Sequence, residues 1–153
     1  ARSMYAGASN ASTALAGEFI GILSAEDPAE VRCGLEAAVR YMEHEASFFS
    51  ANDDGSVVYF AHCISRTGSY LSKEAKVPEG TPMAYLIAPP LEAMLGLDAA
   101  VKAADVTLSL FYGPPTETNF AGGLLTGDQA ACKAACEAFA ATVCAIAAAP
   151  TAY

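Results

Sequence analysis

The chain has 153 residues, of which 54% are hydrophobic, and carries a formal net charge of -9 with only 8 Lys and Arg. Because an acidic chain without a basic stripe repels phosphate backbones and anionic lipids, we expect neither nucleic acid nor a membrane surface as a partner. The cysteines are odd in number and mostly fall within apolar patterns, which predicts reduced core residues rather than a disulfide framework; they are Cys33, Cys63, Cys132, Cys136 and Cys144.

Targeting and membrane segments are not expected either. The longest apolar runs, such as 138–149, are shorter than the roughly 20 residues that a membrane span needs. Residues 1–17 lack the apolar core of a signal peptide. These features predict a protein of the cytoplasm.

The first half of the chain predicts a strand, a helix and a second strand. Residues 18–24 are apolar and precede Asp27-Pro28, where an N-cap and a proline at the first helical position indicate a helix ending near Glu45. Its apolar stripe consists of Val31, Leu35, Ala38, Val39 and Met42. Residues 57–64 are β-branched and aromatic and predict a strand, whereas 65–82 give no clear pattern.

The second half predicts strand, helix, strand, strand and helix. The strands are 83–88, 106–112 and 120–125, and Asp128 caps a final helix with the stripe Cys132, Cys136, Phe139, Val143 and Ile146. The helix after Pro89-Pro90 carries Leu91, Met94, Leu95 and Val101 on one face and ends near Ala104. This order predicts an α+β sandwich with helices on one face of a sheet.

Two stretches of the chain repeat one pattern at a constant offset of 101 residues. Residues 18–38 read EFIGILSAEDPAEVRCGLEAA and residues 119–139 read NFAGGLLTGDQAACKAACEAF. The identical pairs are Phe19/Phe120, Gly21/Gly122, Leu23/Leu124, Asp27/Asp128, Ala29/Ala130, Glu36/Glu137 and Ala37/Ala138. Such a repeat predicts a duplicated domain, and the period leaves the first copy incomplete within this sequence.

A resemblance to a known family extends along nearly the whole chain. It is carried by the motifs RSMYAG, AHCISRTGSYLS, AYLIAPPLEA, PPTETNFAG and LLTGDQAACKAAC. The chain resembles the tandem-domain bacterial microcompartment shell proteins of ethanolamine utilisation. The resemblance implies two permuted shell domains with a ferredoxin-like α+β sandwich, with 1–46 as the C-terminal part of the first domain and 47–153 as the second. About half of the first domain is expected to be missing from the sequence.

The resemblance also implies a function. Members of this family are structural shell proteins of the bacterial cytoplasm, not enzymes, and we therefore expect no catalytic residue. They form flat trimers that imitate a hexamer, contact other shell proteins and hold a gated pore on the axis. In both domains the pore loop is expected just before the repeated strand.

Pore-loop residues follow from that placement. The first loop is composed almost wholly of small and polar residues, which permits open and closed states, whereas two prolines stiffen the second. The predicted pore-loop residues are Tyr5, Ala6, Gly7, Ala8, Ser9 and Asn10 in the first loop and Tyr112, Gly113, Pro114, Pro115, Thr116 and Glu117 in the second. From the residues alone, both segments also read as ordinary surface loops.

The resemblance further implies a small polar pocket for ethanolamine beside the pore loops. Glu92 matches the carboxylate of that pocket, and Phe48 and Thr118 match flanking positions. A carboxylate suits a protonated amine because charge-assisted hydrogen bonds are strong. Glu92 has a second interpretation, since an acidic residue in a first helical turn complements the helix dipole.

Three other interpretations fit parts of the sequence. His62 beside Cys63 suggests a thiol enzyme, but neighbouring strand residues point to opposite faces. Cys132 and Cys136 could share a metal, but structural zinc needs four close ligands, so no metal site is predicted. A tandem α+β regulatory module that senses a small amine without forming a pore also fits the element order.

No cofactor is expected to be required. The family's pathway uses cobalamin, so the resemblance extends to cobalamin as a ligand of the trimer. The chain shows no histidine in a Gly-rich loop that would mark a corrin site.

Overall fold

A computed structural model describes residues 4–5, 22–44, 48–114 and 119–150 of the chain. It divides into two compact units, one of Ala1–Ser47 with Gly68–Tyr70 and one of Phe48–Thr67 with Leu71–Tyr153. The helices and strands in chain order are β1 (Met4–Tyr5), β2 (Ile22–Leu23), α1 (Pro28–His44), β3 (Phe49–Ser50), β4 (Val58–Ile64), α2 (Ser69–Ala75), β5 (Met83–Ala88), α3 (Pro90–Ala103), β6 (Val106–Tyr112), β7 (Ala121–Gly127) and α4 (Gln129–Ala148).

The smaller unit contains β1, β2 and α1. The two strands pair antiparallel, with Met4 opposite Leu23. Helix α1 begins after Asp27, whose side-chain Oδ1 accepts a hydrogen bond of 2.8 Å from the backbone N–H of Ala29. The predicted stripe on α1 is not covered, because Leu35, Val39 and Met42 are all exposed.

The larger unit is built on a five-stranded antiparallel sheet in the order β3-β4-β5-β7-β6. Helices α3 and α4 cover one face, where alternate strand residues such as Ala84, Leu86 and Leu125 are buried. Phe139 of α4 is fully buried in the same cluster. The predicted α+β sandwich is therefore confirmed.

The opposite face of the sheet is covered at one end by α2, a helix that the sequence did not predict. Ala75 of α2 packs with Met83 and Leu124, which alternate with the residues of the first face. A buried hydrogen bond of 2.9 Å from the Ser72 hydroxyl to the Thr67 hydroxyl holds the turn before this helix. Lys76 ends it with a φ of 56°, which breaks the helix in the left-handed region.

Helix α3 differs from its predicted packing. The residues that face the sheet and α4 are Ala93, Gly96, Leu97 and Ala100, all buried. The predicted apolar face of Leu91, Met94, Leu95 and Val101 is exposed. The periodicity was correctly identified, but the core lies on the other side of the helix.

Helix α4 agrees with its predicted stripe and cap. Asp128 Oδ1 accepts a hydrogen bond of 2.7 Å from the N–H of Ala131, and four of the five predicted stripe positions are buried: Cys132, Cys136, Phe139 and Val143.

Helix α4 is also long and apolar enough, by length and composition, to cross a membrane. The uninterrupted apolar run in α4 is shorter than the helix, because Lys133 and Glu137 lie within its N-terminal half. These two side chains lie 3.9 Å apart one turn from each other. Core helices have the same composition, and α4 packs on the sheet through its buried stripe.

Candidate functional site

The two predicted pore loops start at strand ends. In the second, Tyr112 is the last residue of β6, opposite Gly122 of β7, and is exposed. Gly113 and Pro114 follow, with the space above Gly113 filled by the ring of Phe111. Pro115, Thr116, Glu117 and the ligand candidate Thr118 lie outside the described residues, as do Ala6, Gly7, Ala8, Ser9 and Asn10 of the first loop. Tyr5 is the last residue of β1.

An aromatic cluster lies where the second loop joins β7. The ring centroid of Phe48 is 5.4 Å from that of Phe120 and 6.1 Å from that of Phe60. Phe60 in turn meets the ring of Tyr85 edge-on at 5.8 Å. Tilted and edge-on pairs at these separations are favourable beyond simple burial. A predicted ligand-binding residue, Phe48, is thereby placed against the residue just before β7.

Glu92 lies at the same end of the sheet. Strand β5 ends at Ala88, which pairs with Ala121 at the start of β7. Glu92 is in the first turn of α3 and is half-buried. The residue that precedes α3 is Pro89, which offers no side-chain cap, so the Glu92 carboxylate is the acidic group available to the helix dipole.

Sequence reasoning named Phe48 but missed its neighbours Phe60 and Tyr85. Part of this cluster could have been predicted from the sequence, because Phe60 and His62 are two residues apart in β4 and therefore lie on the same face. The register that sets Phe60 opposite Ile87, and His62 opposite Tyr85, could not be read from the sequence.

Comparison with known proteins identifies the family. No protein-family model matches the chain. The chain is 62% identical over all of its length to the bacterial microcompartment shell protein EutL of Clostridium perfringens, of which it covers 70%. The chain belongs to the EutL family of shell proteins.

Solved structures agree with this assignment. The ethanolamine utilization protein EutL from Leptotrichia buccalis matches with a TM-score of 0.76 and 68% identity, over 99% of this chain and 70% of that chain. A trimeric bacterial microcompartment shell protein, PduB, matches with a TM-score of 0.58 at 20% identity over 80% of this chain and 55% of that chain, which supports the shared fold. The protein is thus a structural component of a microcompartment shell in the bacterial cytoplasm, not an enzyme.

The cysteines of this EutL-family chain agree only in part with the prediction of core residues, because Cys132 and Cys136 are buried, whereas Cys33 on α1 is exposed. Cys63 faces the helices, with its thiol 3.8 Å from the carbonyl oxygen of Gln129, whereas His62 is on the other face beside Phe60. Burial raises the pKa of the Cys63 and Cys132 thiols and raises the pKa of Cys136 to about 12. A raised pKa disfavours the thiolate, which is the reactive nucleophile. The arrangement does not support thiol chemistry.

Within residues 22–44, 48–114 and 119–150, no group of three or more His, Cys, Asp or Glu side chains is placed to hold a metal ion. His44 ends α1 in an exposed position, and His62 stacks beside Phe60 at 5.8 Å. His44 and His62 thus lie in a helix and a strand rather than in a Gly-rich loop.

A groove of about 230 Å³ lies on the helix side of the sheet, between β4 and α4. None of the predicted pore-loop or ligand residues lines it; its walls are Phe49, Tyr59, Ala61, Cys136, Glu137 and Ala140.

Proposed function

We propose that the protein is a tile of an ethanolamine-utilisation microcompartment shell that assembles as a trimer with a pseudo-sixfold outline and contacts other shell proteins. The single observation that carries the proposal is the 62% identity along the whole chain to a EutL shell protein. Because the chain spans about 70% of that relative, the assembly is a property to test on the whole polypeptide.

The pseudo-sixfold outline rests on two related domains in each chain. Asp27 and Asp128 are 101 residues apart, and each accepts a hydrogen bond from the first turn of the helix that follows it. We assign 1–46 to the C-terminal part of the first shell domain and 47–153 to the second. Three copies with two domains each would surround one axis.

We further propose that the loops at Tyr5–Asn10 and Tyr112–Glu117 line a gated pore on that axis. The first loop is composed almost wholly of small and polar residues, and segments of such composition have low local stability, which is what a gate between two states requires. The second loop starts where the β6–β7 ladder ends, at Tyr112 opposite Gly122.

Ethanolamine is the ligand that we propose for a pocket formed by Phe48, Glu92 and Thr118. The carboxylate of Glu92 would accept hydrogen bonds from the ammonium group, and the face of the Phe48 ring would attract the same cation. The contact between Phe48 and Phe120 supports this proposal because it connects the ligand candidate to the chain just after the loop. A ligand that binds one loop arrangement better shifts the gate by that difference in affinity.

The pocket is tested by calorimetry on the full-length trimer with ethanolamine. Glu92→Gln keeps the size of the side chain but removes its charge, and we expect about tenfold to hundredfold weaker binding. Glu74→Gln on the exposed surface of α2 is the matched control and should bind normally. Ethylene glycol, which lacks the ammonium group, should bind neither the wild type nor the two variants.

Equal affinity of wild type and Glu92→Gln for ethanolamine would remove Glu92 from the pocket and leave it only the helix-start role. A protein that binds ethanolamine as a discrete dimer would instead favour a sensor module without a pore.

A further inference from the structure

The backbone around Phe48 does little to fix the position of its ring. Strand β3 begins one residue later and pairs with β4 at only two positions, Phe49 opposite Tyr59 and Ser50 opposite Val58. Phe48 therefore lies outside the ladder, and 45% of its surface is exposed. A side chain in such a position keeps several rotamers unless other side chains restrict it. A fixed orientation of this ring has to come from its neighbours.

Two rings from better-held parts of the sheet provide that restriction. Phe60 lies inside the β4–β5 ladder, opposite Ile87, and its ring centroid is 6.1 Å from that of Phe48. Phe120 directly precedes β7, and its ring centroid is 5.4 Å from that of Phe48. The next residue, Ala121, is 2% exposed and fixes the backbone there. Phe48 thus contacts two rings whose own positions are set by the sheet.

Phe60 is itself held by two further rings. The ring of Tyr85 meets it edge-on, with centroids 5.8 Å apart and planes at 89°, and the ring of His62 lies 5.8 Å away at 32°. His62 and Tyr85 are directly opposite each other in the β4–β5 ladder. The register of this ladder therefore determines where Phe60 lies, and Phe60 in turn restricts Phe48.

We propose that Phe60 and Phe120 are positioning residues that hold the ring of Phe48 in the orientation in which it attracts a small primary ammonium ligand. The inference rests on the proposed ethanolamine pocket and adds the residues that orient one of its walls. A cation is attracted to the face of an aromatic ring and not to its edge, so the attraction depends on how the ring is turned. A ring that two others already hold also loses less entropy when the ligand binds.

Calorimetry of the full-length protein with ethanolamine tests the two positioning residues. Phe120→Leu keeps an apolar side chain but removes the ring, and we expect about twofold to fivefold weaker binding, the value of a cation–π contact at an exposed site. Phe60→Leu should weaken binding by a similar factor. Phe120→Tyr keeps the ring and should bind ethanolamine like wild type.

Phe49→Leu is the matched control. Phe49 is the next residue after Phe48, is 53% exposed, and its ring lies 5.6 Å from that of Tyr59 on the helix side of the sheet. The variant therefore removes a ring of the same kind from the other face of the sheet. Its affinity for ethanolamine should equal that of wild type.

The orientation of Phe48 can also be measured without ligand. In protein that contains para-fluorophenylalanine, the fluorine NMR signal of Phe48 is assigned by its loss in Phe48→Leu. That signal should move in Phe120→Leu and in Phe60→Leu, and by more than it moves in Phe49→Leu, because the neighbouring rings that hold and shift it are gone.

The proposal is overturned if Phe120→Leu and Phe60→Leu bind ethanolamine like wild type while Glu92→Gln binds more weakly, a result that leaves the pocket itself intact. It is also overturned if Phe120→Tyr loses as much affinity as Phe120→Leu, because the ring is then not the feature that matters. A wild-type protein that does not bind ethanolamine would overturn the pocket together with its positioning residues, so the two failures are distinguishable.

Discussion

Replacing Gly96 by alanine tests the close approach of α3 and α4 that determines the packing of the larger unit. The new Cβ would lie 2.7 Å and 2.8 Å from two carbons of the Phe139 ring, closer than real contacts allow. Phe139 is itself fully buried. Either the ring leaves its preferred rotamer or the two helices move apart.

The expected magnitude is a balance of two effects. Overpacking in a core costs about 1–3 kcal/mol, whereas alanine gains up to about 1 kcal/mol over glycine in a helix interior. The net expectation is a loss of up to about 2 kcal/mol, which corresponds to a fall in melting temperature of a few degrees at about 2–4 °C per kcal/mol.

Gly34 of α1 provides the contrast, because a Cβ there meets only Cδ1 of Leu23 at an ordinary 3.8 Å. Gly34→Ala should therefore gain the helix preference without the clash and stabilise its own unit. The same substitution in two helices is expected to change stability with opposite signs.

Urea unfolding followed by circular dichroism measures both effects, and a double-mutant cycle with Phe139→Leu isolates the clash. Leucine removes ring atoms, so Phe139→Leu should cost about 1–2 kcal/mol less in the Gly96→Ala background than in wild type. If Gly96→Ala stabilises the protein and the cycle shows no coupling, the close approach is not what requires glycine at this position.

Three further perturbations have definite expected results. Gly122→Ala would place a Cβ 2.0 Å from the carbonyl oxygen of Leu86, so the β5–β7 ladder must break. We expect circular dichroism to show that this variant does not fold. A normal thermal melt would refute the close contact between the strands. Asp128→Ala removes the cap of α4 and should cost about 1 kcal/mol in a thermal melt, with Asp128→Asn nearly neutral; equal losses in the two variants would contradict the capping role. Burial raises the pKa of Cys136 from 9.0 to about 12. The folded protein therefore favours the neutral thiol, and the stability that this provides is complete below about pH 9. Between about pH 9 and 12 the free energy of unfolding falls as the pH rises, by up to about 1.4 kcal/mol per pH unit. In reducing buffer, Cys136→Ala should make the free energy of unfolding less dependent on pH in this range. If its dependence on pH equals that of the Cys33→Ala control, Cys136 is not the group responsible.

Local signals predicted the elements of the larger unit well. The strand at 83–88 agrees with its predicted bounds, because a short apolar run stopped by two prolines leaves few alternatives. Asp128 was correctly predicted as the cap of α4 because capping depends only on neighbouring backbone groups.

The orientation of α3 was not predictable in the same way. Periodicity marks a face of large apolar residues, but small residues such as Gly96 contribute little to that pattern even where they are the ones buried. Which face of α3 is buried depends on Phe139, which lies 43 residues after Gly96 in the chain. The ring of Phe139 packs closely against Gly96. Helix α2 was missed for a related reason, since its place depends on Met83 and Leu124 across the sheet.

The candidate site was predicted through resemblance rather than through local pattern. Phe48 could be named by its match to a family position. Its contact with Phe120 could not be predicted, because it depends on the sheet register and on a strand order in which β5 pairs with β7 rather than with β6. Of the proposed pocket residues that the structure describes, Phe48 contacts Phe120 just before β7, and Glu92 lies in the first turn of α3, after the strand that pairs with the start of β7.

The most direct test of the central claim is electron microscopy of the purified full-length protein, with class averages viewed along the assembly axis. A shell tile predicts flat trimers with a pseudo-sixfold outline, an opening on the axis and a tendency to form sheets. Discrete monomers or dimers, with no axial opening at any concentration, would contradict the account.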